Sequence, residues 1–593
     1  MGCPGVLSSG WRAFDIRRSW LPYSYRTSRG GSIVKAATRI SLMLLGSLAV
    51  SSLWALSGPA PLGWRWTGKV ESAPTARLAV SGDKVIVPVG RRVYALDART
   101  GTEVYSFPSG GDADGEFRTD VVIAGNTVVA ANSNRFVYAF NRDDGVKTWT
   151  FHLGTGTART LVANETTVFI VTSDDRIVAL NADTGAKAWT TDYQMEGSQS
   201  GSAVLADGQI VFYTSDGRVH AVDAVTQRKT WEMRLLSVPF NPQPAAMGNS
   251  VFLVSGDQVA LVAARSGRTT WVLRLPERIV GGVAVTARGG IAVTERGNVY
   301  AFSLDGRQHS RTPLELGGFV QVPPQPAGEN AIVQMTNGAF YLVDPSSREP
   351  KALWEYTTLP LPGTMRKVRS GDSGGGGGGN LGSGGGGGNL GGGGGRGGGG
   401  RGGAGQGGGT TTEVEVPADY VAVMSPIVAS GERLYALAED GSVFAFGRDI
   451  GVDETGPSIE MMTPPSGSAM NGFGNLDFIF RIEDQGSGLM KRSVTITFND
   501  QVMKFEYVPA GGFVYVRIRP PGSTQEGANL PLSDGYRTIT VSATDWMGNV
   551  SEKKFSVLID NTLPVTQERV VDQRTGSGTG RSGPGLGGGG GGG

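Results

Sequence analysis

The sequence predicts an all-β protein: an eight-bladed β-propeller followed by a β-sandwich. Three observations carry that expectation. A strand–turn–strand pattern recurs at a nearly fixed spacing. Apolar residues alternate at period two and never at helical spacing. From Gly456 onward the strands continue without the recurrent pattern.

The pattern is clearest as "VYALDARTGTEVY" at 93–105, "VYAFNRDDGVKTW" at 137–149, "IVALNADTGAKAW" at 177–189 and "VHAVDAVTQRKTW" at 219–231. Fainter copies start at Val259, Val299, Phe340 and Val443. Their second positions are Tyr94, Tyr138, Val178, His220, Ala260, Tyr300, Tyr341 and Phe444, which advance in six steps of 40 to 44 residues and a last step of 103. A period near forty marks a unit that cannot bury its apolar face alone and must stack on its neighbours. Each unit has an alternating run before the motif, as in "KVIVPVGRRVYAL", and a turn of the form Asp-x-x-Thr-Gly before the next run. Four short strands at this period point to propeller blades.

The motif "ALNADTGAKAW" resembles the pyrroloquinoline-quinone-like (PQQ-like) repeat of the quinoprotein-like propellers. That resemblance implies that the Asp and Thr-Gly form the turn and that the tryptophan docks on the next blade. By position the docking aromatics are then Trp149, Trp189, Trp231, Trp271 and Trp354, with Tyr105 in the first copy and no counterpart in the sixth. Burying a ring of roughly 150 to 250 Å² is worth about 4 to 6 kcal/mol before entropy is counted, so these residues read as structural. The eighth copy has no tryptophan strand after it. The segment "GWRWTGKV" ahead of copy one fits that vacancy, and Trp64 or Trp66 is expected to close the ring over 62–452.

The long last step contains an insertion at about 358–419, whose centre, 371–409, is mostly glycine with almost nothing apolar. Such a stretch has nothing to bury and is expected to be disordered, as is the tail 565–593. Its closure cost is small, because that cost grows slowly with length. Between them, 456–564 alternates as a sandwich does, with Ile539, Val541 and Ala543 on one face. The stretches "DQGSGL" and "DGYRTITVSATDWMGN" resemble bacterial immunoglobulin-like modules, which implies a spacer or adhesive element of an exported protein.

Upstream, Ile40–Leu56 is an apolar run between Lys35 with Arg39 and the small residues Ala55, Ser57 and Gly58. That is the layout of a signal peptide, with cleavage expected near Ser57 and an uncleaved membrane anchor over 40–56 as the alternative. Residues 1–57 are thus read as an N-terminal extension with a leader, and Val34 is an alternative start. The only cysteine, Cys3, precedes the run, so no disulfide and no lipid-attachment cysteine is expected in the mature chain. A net charge of +1 gives no reason to expect nucleic acid as a partner.

No catalytic, cofactor-binding or metal-binding residue is assigned from the sequence. Relatives of the repeat include PQQ- and calcium-dependent dehydrogenases, but these commonly carry a vicinal cysteine pair that this chain lacks. "GDSGG" at 371–375 mimics a protease signature, yet Ser373 sits in a glycine coil without a histidine and an aspartate around it. His152, His220 and His309 show no metal-ligand spacing. Asp484, Asp545 and Asp560 could meet at one end of the sandwich around calcium, although turn aspartates ordinarily cap their own backbone. Arg396 and Arg401 read as solubilising punctuation. The expected function is therefore non-enzymatic: an exported scaffold that binds an envelope protein or a surface glycan in the periplasm or at the cell surface. The outer-membrane assembly lipoprotein of the BAM machinery is a similar propeller, from which this chain differs by its missing lipidation cysteine and its added coil and sandwich. A surface or matrix adhesive protein is the alternative.

Overall fold

The computed structural model describes residues 56–358, 365–369, 413–417 and 421–564, apart from 238, 240–241, 311, 317, 321, 337, 474–475, 509–511 and 519–531. Eight four-stranded antiparallel sheets follow one another between Leu62 and Phe446. In blade one the strands are Ala79–Ser81, Lys84–Val89, Arg92–Asp97 and Glu103–Phe107, ordered from inside to outside. The middle strands are mostly apolar and nearly all buried, as in Thr127–Ala131, because neighbouring blades cover both of their faces. Outer strands alternate, as in Lys147–His152, where Trp149 points inward between exposed neighbours.

Blade eight consists of Val428–Ser430, Arg433–Leu437, Ser442–Phe446 and, outermost, the N-terminal strand Leu62–Thr67. Trp64 lies opposite Ala445 in that ladder. The buried clusters confirm the closure. One joins Trp64, Tyr435 and Val443 of blade eight to Val85, Val87 and Leu96 of blade one. Seven further clusters each combine two consecutive blades.

One device repeats at the junctions. The aromatic residue of an outer strand, or of the link before it, donates a hydrogen bond to the carbonyl just inside the next blade's turn and lies over that turn. Trp149 Nε1 donates to Ala182 O at 2.8 Å, Trp189 to Ala224 O at 3.1 Å, Trp231 to Ala264 O at 2.7 Å and Trp271 to Leu304 O at 3.0 Å. Tyr105 Oη reaches Arg142 O at 2.8 Å, and Trp64 Nε1 reaches Ala98 O at 3.4 Å. Of the two closing candidates, Trp64 is therefore the one that docks, while Trp66 packs on Tyr94 at 4.7 Å. A turn glycine makes room for most of these contacts, while Gln227, at φ +60°, holds that place in the turn that Trp189 reaches. Gly185 has φ +70°, and a Cβ there would lie 2.6 Å from the Trp149 ring. The sixth copy, without a tryptophan, uses a histidine: His309 Nδ1 sits 3.0 Å from Pro345 O at the equivalent place in blade seven.

The expectation of an unstructured insertion is corrected at its two ends. Met365–Arg369 and Glu413–Pro417 pair antiparallel, from Met365 opposite Pro417 to Arg369 opposite Glu413. The sequences "MRKVR" and "EVEVP" carry the alternation that the glycine stretch between them lacks. The glycine stretch itself, with Ser373, Arg396 and Arg401, lies outside the described residues, as do Cys3 and the apolar run up to residue 55. Leu56, the last residue of that run, is buried between blades seven and eight, and its carbonyl accepts a hydrogen bond from Asn330 Nδ2 at 2.9 Å.

The C-terminal domain is a sandwich of two sheets. One contains Ser458–Thr463, Leu476–Glu483, Phe513–Ile518 and Glu506–Val508, and the other Ala469–Met470, Val550–Ile559, Gly535–Thr544, Thr495–Phe498 and Gln501–Val502. Phe478, Phe480 and Val514 of the first sheet pack against Ile539, Val541 and Ala543 of the second.

Candidate functional site

The two faces of the ring differ because of how a four-stranded blade is wired. Links between first and second strands, and between third and fourth, emerge at one face; most are short turns, and those of blades three and six run over 182–192 and 303–313. Links between second and third strands, and from the outer strand to the next blade, emerge at the other. That second face carries the long segments 108–121, 235–244 and 316–324. Long loops on a rigid frame are the usual place for recognition. Leu236 and Phe319 stand on these loops with 72% and 74% of their surface exposed.

The loop face also holds a cavity of about 490 Å³ over blades one and two, lined in part by Ser72, Thr75, Glu116, Arg118, Asn132 and Ser133. Glu116 is buried, and its carboxylate accepts from Ser72 Oγ and pairs with the exposed Arg118 guanidinium. Asn132 is 1% exposed. No sequence motif announces this site, because five separate loops contribute to it.

Near the turn face, the seventh junction departs from the others. Trp354 is fully buried, yet its Nε1 donates not to blade eight but to Ser487 O of the sandwich, at 2.7 Å. Tyr356 Oη donates to Gln485 O at 3.2 Å, and Leu62 N donates to Gly486 O at 2.9 Å. Lys491 pairs with Glu355 beside them. The "DQGSGL" loop thus occupies the position of a blade turn, and its glycines make the fit possible. A Cβ on Gly488, whose φ is +92°, would lie 2.8 Å from Glu355 O.

Behind this loop, carboxylate oxygens of Asp453, Asp484 and Asp545 lie within 4.8 Å of one another. Burial pushes the Asp484 carboxyl up to about 6, and the charges of Asp453 and Asp545 push the same way. Each of these groups accepts backbone N–H bonds: Asp453 from Ser487, Asp484 from Gly488 and Asp545 from Gly548 and Asn549. Asp560 is not part of the group. Its carboxylate accepts from Thr562 N and caps its own turn, so the grouping with Asp484 and Asp545 is corrected in favour of Asp453.

The histidines are placed separately. His152 packs on Phe136, and His309 docks on blade seven. His220 is buried against Phe212, and burial lowers its basicity. Glu196 and Glu232 approach His220 closely enough for a shared metal, a juxtaposition the spacing does not reveal, but the Lys229 ammonium already lies 2.7 and 2.9 Å from the two carboxylates.

Eight PQQ-like blades closed by their own N-terminal strand define a PQQ-like β-propeller. The family model for outer membrane protein assembly factor BamB matches residues 54–180, 173–275 and 255–472. The chain belongs to that family. No curated protein matches it. Among solved structures it is similar to BamB from Moraxella catarrhalis, at 15% identity over 65% of this chain and 99% of that one, with a TM-score of 0.46. It is also similar to the computationally designed Ika8 protein, at 13% identity over 67% and 99%, with a TM-score of 0.45.

Proposed function

We propose that this chain is a non-enzymatic, exported scaffold of the cell envelope that holds a partner protein on the loop face of its propeller. Membership in the family of the outer membrane protein assembly factor carries the reading. The exposed Leu236 and Phe319 and the long loops around them support the choice of face. Export by a leader cleaved near Ser57 belongs to the same proposal, with an uncleaved anchor over 40–56 as its alternative; among the described residues no helix is long and apolar enough to cross a membrane.

The test is recovery of partners from a detergent extract of the producing cell's envelope on the immobilised full chain, compared with the Leu236→Asp, Phe319→Asp double variant. An envelope protein retained by the first and lost from the second is the expected result. Equal recovery on both contradicts the choice of face. Dye reduction on addition of an alcohol, PQQ and calcium contradicts the non-enzymatic reading.

A further inference from the structure

The cavity over blades one and two has a chemistry of its own. Part of its surrounding main chain is engaged: Phe117 N donates to Gly90 O, Ser133 N to Glu116 O, and Ser173 N to Gly156 O. Glu116 N in turn donates to Ser133 Oγ at 3.0 Å. The side chains add a chemistry of their own. Glu116 offers a carboxylate anchored by Ser72, and 62% of the Arg118 side chain is exposed beside it. Asn132 Oδ1 is taken by Asn134 N and Phe136 N. Its Nδ2 lies near the Tyr138 hydroxyl yet finds no partner in hydrogen-bond geometry, which leaves a buried donor unsatisfied.

These features select a ligand class. Glu116 and Arg118 are the charged residues of the lining and they compensate each other, so neither an anion nor a cation finds an unopposed partner. A peptide recognised through its main chain needs free N–H and C=O groups on the wall, and those named above are engaged. A carboxylate, a guanidinium, a carboxamide and hydroxyls together match vicinal hydroxyl groups, which both donate and accept. Ala73 and Pro74 add apolar surface for a C–H face, and about 490 Å³ lies within the range of small-ligand pockets.

We propose that this cavity is a binding site for a neutral saccharide, with Glu116 accepting from two hydroxyls and Arg118 and Asn132 donating to sugar oxygens. The site is independent of the apolar loop contacts assigned to the protein partner.

Calorimetric titration of the full chain with maltose, cellobiose and N,N′-diacetylchitobiose tests it, with digalacturonic acid and triglycine as comparators. Saturable binding of a neutral disaccharide is expected. Arg118→Ala should weaken it on the order of tenfold or more, the loss of a charge-assisted hydrogen bond; because the buried Glu116 carboxylate then loses its ion-pair partner, Tm falls as well, and binding is read well below the variant's melting temperature. Glu116→Gln should weaken it as well. The proposal is overturned by silence of all three neutral sugars at millimolar concentration, by tighter binding of a comparator, or by binding that both variants leave intact. Envelope-protein recovery by Arg118→Ala should equal that of the unmodified chain, which separates failure here from failure of the scaffold reading.

Discussion

Seven junctions of the ring and the one between blades seven and eight solve the same problem differently. At the seven, a tryptophan, tyrosine or histidine in the outer strand or in the link before it bonds to the carbonyl inside the next blade's turn. At the eighth, Trp354 finds that carbonyl at Ser487, 133 residues away in another domain. The chain between blades seven and eight is also where the long insertion leaves the ring. Blade eight's own turn, Gly447–Gly451, is covered instead by the N-terminal segment, with Gly447 N donating to Pro61 O and Arg448 Nε to Pro59 O. A loop from a following domain can therefore replace a blade turn where it presents a carbonyl and glycines at the right place. The sandwich is accordingly part of the ring's closure as well as an appendage to it.

The largest break in this comparison is removal of the closing strand. Deleting 62–67 leaves the edge of Ser442–Phe446 unpaired and takes Trp64 from its junction, and calorimetry should show a large fall in the Tm of the whole propeller.

Trp354→Ala comes next. It empties a fully buried site and orphans the Ser487 carbonyl, for an expected loss of about 4 to 5 kcal/mol in denaturant unfolding. Trp189→Ala, at an ordinary junction, should cost less, about 3 kcal/mol, because that ring keeps 6% of its surface exposed where Trp354 keeps none. Equal losses would remove the distinction between the two kinds of junction.

Gly488→Ala sharpens the same point from the sandwich side. The left-handed backbone and the 2.8 Å approach to Glu355 O should make it cost about 2 kcal/mol, whereas Gly467→Ala, with φ +89° and open space around it, should cost about 1 kcal/mol. His309→Ala should lose about 1 to 2 kcal/mol, less than the tryptophans because the ring removed is smaller.

The smallest effect concerns charge. The folded-state pKa of Asp484, about 6, lies above its ordinary value, so the native state holds a proton there that the unfolded chain releases. Ionisation of this group thus weakens the fold as pH rises through 6. Asp484→Asn should melt above the unmodified chain at pH 7.5, and that advantage should shrink as pH falls toward 4.5. A gap independent of pH contradicts this account.

Much of this was legible in the sequence and part was not. The period near forty announces eight blades, and the missing eighth tryptophan strand points to the N-terminal segment, because a local pattern repeated eight times is hard to hide. His309 escapes such a reading, since its turn is two residues shorter than in most copies and it lies eight residues, not ten, after the strand position it faces. The partner of Trp354 escapes too. "DQGSGL" is readable as a glycine turn, but only tertiary packing brings it beneath a tryptophan of another domain. Asp453 replaces Asp560 in the carboxylate group for a similar reason: it lies in the linker between domains, where no strand pattern places it. The cavity is assembled from loops of the closing segment and of blades one and two, so no stretch of sequence contains it.

The central claim, that the sandwich loop serves as a blade turn, is tested most directly by hydrogen exchange on the strand Ala352–Thr357. The full chain is compared with one ending at residue 455. Selective loss of protection in this strand and in Leu62–Thr67, with Lys147–His152 unchanged, is the predicted result. Protection of Ala352–Thr357 that survives removal of the sandwich would contradict the account.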